Sequence, residues 1–150
     1  MLIEEALYTL ITDNAGVSTI VYDVVTGTNH IYPVTMPQFQ KNRTLYPAVV
    51  LELAGRERHG THDGPDGLVA SRFAIYSLGK EYFTLKVLAD KVRRAVNGKS
   101  AALAAIYEQH VKGVFLQDEF DDYVYDEVEQ LSLYRVTMDL MIHHREELED

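Results

Sequence analysis

The 150-residue chain has no cysteine, so disulfides, thiolate metal sites and a cysteine nucleophile are all excluded. It also lacks any run of the roughly 18 apolar residues that a membrane-spanning helix needs, and no membrane partner is expected. The opening segment "MLIEEALYTLITDN" has no basic residue ahead of its apolar stretch. It is therefore not expected to act as a secretory signal, and the protein is expected to be made and kept in a cytoplasm. Basic residues are in deficit: 14 Lys and Arg stand against 23 Asp and Glu, a formal net charge of −9. Gripping nucleic-acid phosphates demands the opposite balance. No G-x-S-x-G elbow, EF-hand loop or H-E-x-x-H helix occurs, and neither does a P-loop or a dinucleotide fingerprint.

What is present is an ordinary globular balance, 47% apolar and 25% charged. The length suits a single domain over 1–150, able to bury a core without staples. Residues 2–12 have helical spacing of Leu2, Ala6, Leu7, Leu10 and Ile11, with Glu4 and Glu5 where the helix dipole favours acids. "DNAG" reads as its stop. "STIVYDVV" (18–25) is β-branched and strand-like, "TGTN" is a turn, and "HIYPV" is a return strand. "TMPQFQKNR" (35–43) reads as a loop because Pro37 does not suit a central strand.

"YPAVVLEL" (46–53) and "LVASRFAIYSL" (68–78) are strands, which makes 56–68 a long hairpin loop between them. In 80–98, Leu85, Leu88, Ala89, Val92, Ala95 and Val96 form one apolar helical stripe ended by Gly98. "KSAALAAIYEQH" is ambiguous between a short helix capped by Ser100 and an extended piece. "VKGVFLQDEF" (111–120) reads as a strand. In 131–144, Tyr134, Val136, Met138, Leu140 and Ile142 alternate with Arg135, Thr137, Asp139 and His143, the period of a strand with one buried face. The closing "REELED" is expected to fray. Strands come in neighbouring pairs, so the fold class expected is α+β: an antiparallel or mixed β-sheet with two main helices packed on one face.

The stretch most suggestive of chemistry is "RERHGTHDGPDGL" (56–68). His59, His62, Asp63 and Asp66 offer imidazole and carboxylate, acceptable ligands for zinc or another divalent ion. The H-x-x-H pair lies on a glycine-rich segment, however, and lacks the helical spacing that puts two rings on one face. Its glycines do not lead into a helix N-terminus, which argues against an anion cradle. The residue types suit turn geometry better. A second acidic group, Asp118, Glu119, Asp121 and Asp122, could pair as acid and base beside Phe120, Tyr123 and Tyr125, but a solvated or partner-facing strand explains it as well. His143 and His144 are adjacent in a strand, point to opposite faces and cannot chelate together.

Charge is unevenly placed. Residues 80–99 hold Lys80, Lys86, Lys91, Arg93, Arg94 and Lys99 against Glu81 and Asp90, while 118–130 hold seven acids and no base. One basic and one acidic face let copies of a chain meet head to tail.

Taken in order, "IEEALYTLITDNAGVS", "IYP", the run from "YPAVVLELAGRERHGTHDGPDGL" through "RRAVNG", and "GVFLQDEFDDYVYDEVEQLSLYR" resemble the tail-completion family of long-tailed bacteriophages, the tail-terminator or head–tail joining proteins. "STIVYDVVTGTNH" and "KSAALAAIYEQH" depart from the family pattern. The resemblance implies a structural virion protein that caps the tail tube as a ring, typically hexameric, ends tube polymerisation and meets the head connector or head-completion protein. DNA would pass only through the lumen. No catalytic residues and no cofactor are implied. The interface candidates are His59, His62, Asp63 and Asp66 on the hairpin, Lys91, Arg93 and Arg94 on the basic helix, and Phe115, Asp118, Phe120, Asp122, Tyr123 and Tyr125 on the acidic strand. Two other classes compete: a small metal-dependent hydrolase using His59, His62, Asp63 and Asp66, and a stand-alone ligand-binding α+β domain.

Overall fold

The computed structural model describes residues 2–23, 28–33, 46–61, 64–127 and 130–146. Helix α1 spans Ile3–Thr12, with Glu4 and Glu5 in its first turn and Ile3, Ala6, Leu7 and Ile11 buried. The "DNAG" stop holds, but a second helix starts within it. Asn14 accepts a hydrogen bond from the Val17 N–H at 3.2 Å and caps α2, Ala15–Val21. The strand expected over 18–25 is therefore wrong for 18–21 and holds at Tyr22–Asp23, and 24–25 lie outside the described residues. The β-branched residues that suggested it are accommodated in a helix: Thr19 returns its hydroxyl to the Ala15 carbonyl at 2.6 Å, and Val17 and Val21 enter the core. A good cap plus tertiary packing outweighs weak propensity.

Strand β1 (Tyr22–Asp23) pairs antiparallel with β2 (Thr28–Asn29). The return strand thus begins earlier than expected. "IYP" does something different, running as β3 (Ile31–Pro33) parallel to the start of β4 (Ala48–Thr61). The expected loop over 35–43 lies outside the described residues.

The principal hairpin joins β4 to β5 (Gly64–Gly79). Its connection is where the sequence placed it, but 56–68 is mostly ladder and not loop, with pairing reaching Thr61 opposite Gly64. The glycines that suggested a loop sit at irregularities of this arm. One lies between Arg58 and Gly60, and Gly67 has φ +81°. A second bulge between Leu53 and Gly55 turns the strand so that Arg56, and not Gly55, takes the position opposite Ser71.

Helix α3 (Tyr82–Val96) buries the predicted stripe of Leu85, Leu88, Ala89, Val92, Ala95 and Val96. The ambiguous segment resolves as α4 (Ser100–Tyr107), ended by Glu108 in the left-handed region. Strands β6 (Val111–Asp126) and β7 (Leu131–Arg145) complete a five-stranded mixed sheet in the order β3-β4-β5-β7-β6. The core lies between the helices and one sheet face bearing Val49, Leu51, Phe73, Ile75, Val136, Met138, Leu140 and Ile142. The α+β expectation stands, with four helices in place of two.

Candidate functional site

Four residues from four elements, Glu4 of α1, Arg56 of β4, Ser71 of β5 and His144 of β7, meet at the root of the hairpin arm. The Arg56 guanidinium donates through Nε to the Ser71 hydroxyl at 3.1 Å and through its terminal nitrogen to Glu4 Oε1 at 2.5 Å. Ser71 Oγ lies 2.7 Å from His144 Nε2. Arginine can only donate, so Ser71 accepts from Arg56, and its hydroxyl shares a second hydrogen bond with His144. Burial, with Arg56 nearby, pushes the His144 pKa below its ordinary value, while Glu146, Glu4 and the Arg145 backbone work in the opposite direction. The edge of the Tyr107 ring packs against it at 5.5 Å.

The cluster borders a cavity of about 420 Å³ lined by the start of α1, Arg56, Tyr107, His144 and Glu146. A hydroxyl close to an imidazole has the outline of a nucleophile and its base. Here Ser71 is fully buried, does not line the cavity and is held by a guanidinium. The arrangement locks α1, β4, β5 and β7 together.

The charged elements singled out in the sequence meet within one chain. On β6 the helix-facing residues Glu119 and Asp121 lie under α3. Lys86 Nζ reaches Asp121 at 3.0 Å, Tyr82 donates to Asp121 at 2.9 Å, and Arg93 approaches Glu119 at 3.5 Å. The Lys86 bond, and then the Tyr82 bond, hold the Asp121 carboxyl below the usual carboxylate range. Arg93 also pairs with Asp90, which Arg94 shares at 3.1 Å. Lys91 is half-buried, its stem running beside Gly16. Asp118 accepts from the Glu119 N–H at 2.9 Å.

Asp122 accepts from the Tyr123 N–H at 2.6 Å and pairs with Arg135, and its pKa is lowered by those two bonds in that order. Phe115 and Phe120 are exposed on the sheet face away from the helices, Phe115 beside His143 at 5.8 Å. The same face carries Arg72 paired with Asp139 and the Arg135 guanidinium over Tyr76 at 5.3 Å. Tyr123 and Tyr125 extend β6 past the first turn of α3 and are exposed.

No family model and no curated protein matches this chain. Its fold matches that of a virion chain. That chain belongs to a solved structure described as "Virion of native gene transfer agent (GTA) particle", with a TM-score of 0.63 and 14% identity. The likeness covers 95% of this chain and 94% of the other. At that identity the likeness is one of fold, running end to end with no large unmatched segment.

The hairpin candidates divide between the strands and the tip. His59 and Asp66 lie on the β4 and β5 backbones, with side chains outside the described part, and His62 and Asp63 lie outside the described residues. Among the described residues no three His, Asp or Glu side chains are grouped as metal ligands. Likewise, no described helix is long and apolar enough to cross a membrane. The Ser71–His144 contact spans 73 positions and was missed. A signal existed: Ser71 continues the inward register of Val69, Phe73 and Ile75, and His144 continues that of Leu140 and Ile142. Two polar residues at inward positions of paired strands call for each other.

Proposed function

We propose that this chain is a structural virion protein that caps the end of a phage or phage-like tail tube as a ring, ends tube polymerisation and joins the tail to the head connector. The observation that carries this reading is the end-to-end fold likeness to a chain of a gene transfer agent virion. The tail-completion resemblance of the sequence narrows it from virion protein to tube end. Physical features agree. The Ser71–His144 pair is buried by packing, which suits a scaffold better than a catalyst. The net charge of −9 suits a lumen that lets DNA pass without gripping it. The partners on this reading are further copies of the chain, the tube protein and the connector or head-completion protein. The hairpin arm, stiffened by its ladder, is suited to reach one of them from a rigid base.

The test is electron microscopy of particles made without this chain. Tubes of uncontrolled length and heads without tails are expected. Joined particles with tails of normal length would overturn the proposal.

A further inference from the structure

At one end of α3 a row of aromatic rings stands in the open. Phe83 meets Tyr82 at 5.5 Å, Tyr82 meets Tyr134 at 5.4 Å, and Tyr134 meets Tyr123 at 5.4 Å, each edge to face. Tyr125 follows on the same side of β6. Phe83 is 76% exposed, Tyr123 60% and Tyr125 61%. Large rings clustered this openly mark a surface that is covered in use. Lys86 lies over the Tyr82 ring at 6.0 Å, while Glu81 and Glu127 are exposed at the rim of the other rings. Negative ring faces inside an acidic rim suit a cationic guest.

The other end of the helix is basic. The Gly98 N–H donates to the Val114 carbonyl at 3.2 Å, and the Leu116 N–H donates to Asn97 Oδ1 at 3.4 Å. These bonds tie the α3–α4 turn to the start of β6, bringing exposed Arg94, Lys99 and Lys112 to one end of the subunit. Asp90 serves both Arg93 and Arg94, and Arg93 also reaches Glu119, so Arg94 has a share of one carboxylate, that of Asp90. Between the two ends, the charges of α3 and β6 are already partnered through Lys86–Asp121 and Arg93–Glu119. The helix has 15 residues, which at 1.5 Å each separates its ends by about 22 Å. A single chain cannot bring them together.

We infer that the aromatic end of one subunit receives the basic end of a second copy of this chain, Arg94, Lys99 and Lys112 lying against the rings of Phe83, Tyr123 and Tyr125. The inference rests on the assembly reading above and supplies its contact. Two unlike patches on one chain give a heterologous, head-to-tail interface, the kind that closes into rings. Buried rings anchor the affinity, and the cations fix direction.

The absence of cysteine makes the test clean. Two full-length variants, Glu127→Cys at the aromatic rim and Lys112→Cys at the basic end, are treated with a short bis-maleimide, alone and mixed, with sedimentation velocity run on the same samples. The mixture should give covalent dimers, each variant alone should stay uncoupled, and the double variant should give a ladder of multimers. Phe83→Ala with Tyr125→Ala should weaken self-association by roughly 30-fold or more, and Lys99→Glu with Lys112→Glu by about tenfold, with far-UV circular dichroism unchanged.

Coupling of one variant with itself would mean a two-fold contact and overturn the inference. So would oligomers that form without coupling, or a chain that stays monomeric and uncoupled at the highest concentration reached. Coupling of Glu127→Cys in whole particles to a different protein would replace the second copy with that partner. None of these results restores tube-length control in particles lacking the chain, so the assembly reading is judged separately.

Discussion

Ser71 and Ser77 lie on the same strand, face the same core and are both fully buried. They differ in one respect: Ser71 Oγ joins Arg56 to His144, whereas Ser77 Oγ has no hydrogen-bond partner. Replacing each with alanine removes the same atom from the same kind of site, so the void term nearly cancels between them. Ser71→Ala strands an imidazole nitrogen on a residue only 2% exposed. It also strips the Arg56 guanidinium of one of its two side-chain partners, Ser71 and Glu4. Each buried group left unsatisfied costs about 1–3 kcal/mol, more where a charge is involved. Arg56 keeps its Glu4 bond and some access to water, so its share falls at the low end. The expected loss is about 2–4 kcal/mol. Ser77→Ala instead removes a desolvated hydroxyl that gains nothing, and is expected within about 0.5 kcal/mol of the parent or more stable. Urea unfolding at pH 7.5 measures both. At about 2–4 °C per kcal/mol, the Ser71 variant should also melt about 4–16 °C lower. Equal effects from the two substitutions would refute the network as drawn.

Leu140 is fully buried opposite Phe73, and Leu140→Ala should cost about 2–5 kcal/mol in the same assay, while an unchanged midpoint would mean that the buried face of β7 is misassigned. His144 is a base whose pKa is lower folded than unfolded, so the unfolded chain takes up the proton first. Stability should therefore be full above the ordinary histidine value of 6.5 and fall as pH drops below it toward the depressed folded value. His144→Gln, which keeps a hydrogen-bonding side chain for Ser71, should flatten that decline and leave the separate, more acidic loss due to Asp121, Asp139 and Glu146 in place. Asn14→Ala should cost about 1 kcal/mol by loosening the start of α2, measurable as faster amide exchange at Val17 and Ser18; no change in exchange would remove Asn14 as the cap.

Most of the sheet was legible because its strands alternate. The period-two pattern of 131–144 located the buried face of β7, and the stripe of 80–98 located that of α3. Residues 18–21 were misread because β-branched composition speaks for a strand, while the evidence for a helix was one capping side chain and two valines in a core that no local window contains. The 56–68 arm was misread because glycine signals a turn and a strand bulge alike, and only the pairing partner decides which. Arg56 could not be assigned to the inward face from sequence, since that depends on the bulge before it. The charge asymmetry of 80–99 and 118–130 was expected to draw separate copies together, whereas the structure pairs part of it within one chain. Its middle is satisfied inside the chain because the β6 register carries Glu119 and Asp121 under α3, leaving the ends for a partner.

The most direct test of the central claim is location. Intact particles from the cells that make this protein can be labelled with gold through an antibody to the chain and viewed by negative-stain electron microscopy. The account predicts one compact cluster of label at the head–tail junction of each particle whose junction is accessible, and none along the tube. Label spread along the tube, on the capsid or at the distal tip, or particles that carry none of the chain, would contradict it.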